Sequence, residues 1–147
     1  MSKEWTPDPV ELTRRVYASL NDRDFDSVVC MFAPASVWDV SDWGLGIHTG
    51  LPAIGRFLKD WFGSMDEYEV HVEELHDLGN GVVRVVVEQV ARPAGSRGLL
   101  RVRSAPVFVW TAGRISQVTL YRDIDKARAA AQRLAEEAGA ASHQSSI

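Results

Sequence analysis

Gly79-Asn80-Gly81-Val82-Val83-Arg84-Val85-Val86-Val87-Glu88-Gln89-Val90-Ala91-Arg92 is the stretch that decides the fold class. It opens on three residues that tolerate positive φ, the signal of a tight hairpin turn. A run rich in β-branched residues follows, with charges on alternate positions. Arg84, Glu88 and Arg92 mark one face as outward, which turns Val83, Val85, Val87, Gln89 and Ala91 inward. Gln89 is the odd member of that inward set, a polar amide among apolar side chains.

The same period of two extends on both sides. Residues 67–78 read as the strand before the turn. After a loop at 93–98, residues 99–111 read as the next strand, with Arg101 and Arg103 outward and Val102, Ser104, Pro106, Phe108 and Trp110 inward. Ala112-Gly113 turns into a last strand over 114–122, where Ser116 and Arg122 assign Ile115, Gln117, Thr119, Tyr121 and the following Asp123 to the inside. Strands joined this closely pair antiparallel, and the one-sided alternation demands a helical cover.

The N-terminal half supplies that cover. Asp8-Pro9 combines an N-cap with a proline at the first helical position, and Val10, Leu12, Val16, Tyr17 and Leu20 recur at helical spacing to about Asn21. Asp24 caps a second, short helix through Phe32, stopped by Pro34. Residues 36–42 read as a strand with Val37, Asp39 and Ser41 on one face. A third helix over 51–65 carries Pro52 in its first turn and a broad apolar stripe of Ile54, Phe57, Leu58, Trp61 and Phe62. Asp123 or Asp125 opens a closing helix with Ala127, Ala130, Ala131 and Leu134 on one side. The expected architecture is α+β: a cone-shaped, curved antiparallel sheet wrapped around three N-terminal helices, with a C-terminal helix. It forms a single domain over residues 1–138, and the small, polar 139–147 read as a disordered tail.

Composition narrows the function classes. The 147 residues carry a formal net charge of -4, which argues against a phosphate-rich partner such as nucleic acid. The single cysteine, Cys30, rules out an internal disulfide and a cysteine-based zinc site, and its place among Val28, Val29 and Met31 suits a small buried hydrophobe. His71 and His76 have no ligands at metal spacing, so no metal is expected. The N-terminus lacks an export signal and no apolar run approaches a membrane span, so a cytoplasmic location and no membrane contact are expected. Trp5, ahead of the first helix, suits a lid or a staple.

The inward-facing residues enclose an apolar interior with few polar groups, the profile of a small-molecule site. Its substrate-binding candidates are Trp43, Phe57, Trp61, Gln89, Phe108 and Tyr121, and its catalytic candidates are Asp39, His48 and Asp123. Asp39 suits a general base whose pKa burial would raise, or a solvated, paired carboxylate at the mouth. His48 would orient Asp39 or lie in a plain loop. Asp123 is a pocket acid or a helix cap.

Residues 15–26, Phe32-Ala33-Pro34-Ala35-Ser36-Val37-Trp38-Asp39, His48-Thr49-Gly50 and Ala112-Gly113-Arg114-Ile115 together resemble the nuclear transport factor 2-like superfamily, in its SnoaL-like, polyketide cyclase-like branch. The resemblance runs from about Val10 to Ala131. It implies the cone fold and places Asp39 where the similar ketosteroid isomerases carry their proton-abstracting Asp. The oxyanion Tyr of those enzymes would fall at Val16, one residue from Tyr17, and their protonated Asp near Val107 or Phe108. The family's cyclases use an Asp on a late strand, for which Asp123 is nearest. Its epoxide hydrolases use an Asp-Arg-Asp set that the outward Arg101 and Arg103 do not supply.

Two functions follow. One is a cofactor-free isomerase, cyclase or lyase doing acid/base chemistry on an apolar substrate. The other is a non-catalytic ligand-binding or association module with the same pocket. Val107, Val109, Val118 and Leu120, all assigned outward, predict a second copy as their cover, and hence a homodimer.

Overall fold

The computed structural model describes residues 8–145, with side chains to residue 140. Trp5 lies outside the described residues. Helix α1 (Pro9–Asn21) opens as its sequence dictates: the Asp8 carboxylate accepts from the Val10 amide at 3.0 Å. Helix α2 (Phe25–Cys30) is capped by Asp24. Strand β1 (Phe32–Asp39) and the short β2 (Ile47–Thr49) follow, separated by a 3₁₀ turn at Ser41–Trp43. Helix α3 (Leu51–Phe57) runs on as a π turn over Leu58–Phe62. Strands β3 (Met65–Gly79), β4 (Val82–Pro93), β5 (Leu100–Thr111) and β6 (Arg114–Tyr121) lead to helix α4 (Ile124–Ser145).

The six strands form one curved sheet in the order β2-β1-β6-β5-β4-β3, with β1 parallel to β6 and every other pairing antiparallel. The long hairpins therefore form in sequence order, and only the β1–β6 closure joins distant parts of the chain. Helices α1, α2 and α3 fill the inner face together with Val83, Val85, Val87, Phe108 and Trp110. One buried polar pair ties helix to sheet there: the Trp110 indole N–H donates to Thr13 Oγ1 at 3.0 Å. At the β3–β4 turn, Gly81 (φ 83°) lies against the Trp110 carbonyl so closely that any Cβ would collide with it.

Several sequence expectations shift. Helix α2 stops at Cys30, and β1 begins at Phe32 rather than at residue 36, so Pro34 sits inside a strand. The proline is tolerated because β1–β6 pairing is irregular between Phe32 and Val37. Cys30 is exposed, not buried. Helix α4 continues through Gly139 to Ser145, where the sequence suggested a tail. Its alanines favour helix, and Gly139 is small enough to pass over Asn80, whose side-chain amide donates to the Ala135 carbonyl at 2.9 Å.

The largest shift is on β6. Val109 pairs with Gln117 and Trp110 with Ile115, so Ser116 is an extra residue in a β-bulge. The bulge reverses the faces: Val118 and Leu120 point into the core, while Tyr121 packs outside with α4. Val107 and Val109 are also covered by α4. All four apolar side chains from which a dimer was expected are therefore covered within one chain.

Candidate functional site

A cavity of about 250 Å³ opens between the inner face of the sheet, α3 and the segment from Trp38 to Leu45. Phe57, Trp61 and Phe62 close one side, and the π turn is the reason three large rings so near in sequence all reach it. One extra residue per turn widens the helix and brings positions four and five apart onto the same face. Trp38 stands edge-on to Phe57, with ring centroids 5.3 Å apart, and Trp61 stands edge-on to Phe62 at 4.9 Å. Gln89, Ala91, Val102 and Ser104 form the opposite wall, as β4 and β5 alternation requires. A recess of about 30 Å³ continues inward, lined by Tyr17, Tyr68 and Phe108 and shared with Trp38 and Gln89. Burial pushes both tyrosines upward, Tyr17 further through its proximity to Tyr68, so both stay neutral phenols.

The candidate residues separate into groups. Trp43, Phe57, Trp61 and Gln89 line the cavity, and Phe108 lines the recess. Tyr121 lies on the outer face; partial burial, then the nearby Asp39 and Asp42, raise its pKa. Asp39 is on the outer face too, because its neighbours Trp38, in β1, and Val40, just after it, take the inward positions. Its carboxylate accepts from the Ser41 amide at 2.9 Å and from the Ser41 hydroxyl at 2.6 Å, a local turn. Asp123 caps α4, accepting from the Asp125 and Lys126 amides.

His48 stacks on Phe57 with centroids 4.3 Å apart, and its Nε2 lies 2.9 Å from the Leu45 carbonyl. A carbonyl only accepts, so Nε2 carries the proton there. His48 therefore belongs to an open groove behind Phe57 and Trp61, alongside Arg56 and Asp60, and is engaged by Leu45 rather than by Asp39.

Trp38, Leu45, Phe62, Met65, Leu100 and Leu120 line the cavity without having been singled out from the sequence. Trp38 and Val40 were legible: giving the inner face of β1 to its apolar residues, instead of to Asp39, finds both. Leu120 was not, because nothing in local alternation announces the Ser116 bulge. Tyr68 sits among alternating charges on β3, and only the fold brings it to the recess.

A model of the SnoaL-like domain matches residues 13–118. The chain belongs to the SnoaL-like family. No curated protein matches it. Solved structures do, at identities that show the fold alone. A hypothetical protein with a ketosteroid isomerase-like fold from Catenulispora acidiphila, in complex with trimethylamine, superposes with a TM-score of 0.69 at 15% identity, covering 80% of this chain and 86% of the other. TerC, co-crystallised with polyporic acid, gives 0.68 at 17%, covering 80% and 93%. SalBIII, an epoxide hydrolase/cyclase-like enzyme of pyran ring formation in salinomycin, gives 0.69 at 16%, covering 80% and 92%. This SnoaL-like chain has no helix, among the described residues, long and apolar enough to cross a membrane.

Proposed function

We propose that this SnoaL-like chain binds a small, largely apolar molecule in the cone cavity, and that it works as a binding module rather than through proton abstraction by Asp39. The observation that carries this is the make-up of the wall: fourteen lining residues, dominated by aromatic and aliphatic side chains, with no acidic or basic residue among them. A general base must come within hydrogen-bond reach of the proton it removes. Asp39 faces the other side of the sheet and is held by Ser41. Small organic molecules in two similar structures, trimethylamine and polyporic acid, support the use of this fold for ligand binding.

Calorimetric titration with 1-tetralone, a two-ring ketone suited to a cavity of this size, tests the reading. Saturable one-to-one binding is expected for the wild type, unchanged in Asp39→Asn and lost in Val102→Phe, where a ring fills the cavity. Binding that survives Val102→Phe, or that disappears in Asp39→Asn, would overturn the proposal.

A further inference from the structure

Six buried side-chain polar atoms have no hydrogen-bond partner among the described residues: Ser36 Oγ, Trp38 Nε1, Trp43 Nε1, Tyr68 Oη, Arg84 Nη1 and Ser104 Oγ. Four of the six, on Trp38, Trp43, Tyr68 and Ser104, belong to residues that line the cavity or its recess. Unsatisfied buried groups are rare in folded proteins, and each raises the question of what meets it. Their gathering around one cavity points to a common answer.

The donor inventory gives that answer a chemistry. An indole N–H donates and never accepts, and a hydroxyl does either. Gln89 adds an amide shared by the cavity and the recess. No carboxylate lines either space, so no strong acceptor-only side chain balances the two indoles. The recess, about 30 Å³ against about 250 Å³ for the cavity, exceeds the roughly 10–15 Å³ that one water needs, so it admits an oxygen-bearing group while the body of the ligand stays in the cavity.

We infer that the site selects an uncharged, ring-sized apolar molecule bearing acceptor oxygens of carbonyl or ether type, with one oxygen entering the Tyr68–Gln89 recess and another reached from Ser104 and the indole of Trp38 or Trp43. This rests on the reading of the cavity as a ligand site and narrows its ligand class. The competing occupant of an aromatic-lined site is an ammonium ion held by ring faces. Here one face of Trp43 already carries the Arg122 guanidinium, 5.1 Å from the ring centroid, and no carboxylate offsets a buried cation.

Three probes with one bicyclic frame separate these outcomes: tetralin with no polar group, 1-tetralone with a carbonyl, and 1-aminotetralin as its ammonium. Dissociation constants are measured by calorimetry for the wild type, Ser104→Ala and Tyr68→Phe. One satisfied hydrogen bond should make 1-tetralone about tenfold tighter than tetralin. The ammonium should bind more weakly than either. The single carbonyl reaches one of the two sites, so one of the variants Ser104→Ala and Tyr68→Phe should bring the ketone within about twofold of the hydrocarbon while the other leaves it about tenfold tighter, and a ketone preference unchanged in both would refute the inference. Equal binding of tetralin and 1-tetralone by the wild type, or tightest binding of the amine, would refute the inference and leave the cavity a ligand site. Failure of all three probes to bind would remove the ligand-site reading itself, and this inference with it.

Discussion

On its outer face the sheet meets α4 through Ala127, Ala131 and Ala135, set against Val82, Ala105 and Val107. On its inner face the same strands meet Trp38, Phe57, Phe62 and other large rings, and there a cavity of about 250 Å³ persists. Small residues let a helix approach closely and leave no room. Rigid rings propped edge-to-face against one another keep space open between them, because no single ring can collapse without dislodging its neighbour. One face is built for stability and the other for occupancy, and substitutions should discriminate between them.

The largest effect is expected on the closed face. Ala131, on the sheet-facing side of α4, is fully buried, and Ala131→Leu adds three carbons where none fit. Overpacking of this kind destabilises by about 1–3 kcal/mol, which should lower the melting temperature by several degrees. The open face should tolerate a larger insertion. Val102→Phe projects into the cavity, so a stability change under about 1 kcal/mol is expected, although it abolishes binding. A thermal melt of both variants checks the pair. If Val102→Phe melts as early as Ala131→Leu, the cavity is as tightly packed as the α4 seam and the contrast fails.

A smaller effect sharpens the same contrast through pH. Tyr68 is held above the ordinary tyrosine pKa of 10.0 by burial. Below pH 10 the phenol is neutral in both folded and unfolded chains and contributes nothing to pH dependence. Above it the unfolded chain releases the proton while the folded chain keeps it, so stability falls as pH rises. Tyr68→Phe should flatten this alkaline limb relative to the wild type in melts between pH 9 and pH 11, with little change at pH 7. An unchanged limb would mean that Tyr68 is solvated and does not line a dry recess.

The contrast between faces also explains what was legible in the sequence. Val83, Val85, Val87 and Gln89 were placed correctly because β4 alternates without interruption, and the same holds for Val102 to Trp110 on β5. The helix starts at Asp8, Asp24 and Asp123 were legible because capping is written in adjacent residues. Tyr121 was misplaced because one inserted residue, Ser116, reverses every side chain beyond it, and a bulge has no composition of its own. Asp39 was turned inward with Val37 and Ser41, whose face it shares, although Trp38 and Val40 hold the buried positions. The role of α4 as cover for Val107 and Val109 depends on where a helix lies across the sheet, which no local pattern specifies.

The π turn at Leu58–Phe62 has a consequence for how this cavity changes over time. Because it amounts to one residue more than a regular helix needs, loss of a single residue there would restore the ordinary winding. Trp61 would then follow Phe57 by three residues and Phe62 by four, spacings that share one face of an α-helix. Phe57, Trp61 and Phe62 would therefore all keep their stations on the cavity side. Lys59 and Asp60, both exposed, could be deleted without opening the core. Descendants of this chain thus have a route to a narrower helical wall beside the cavity by a change in length alone, with every interior residue retained.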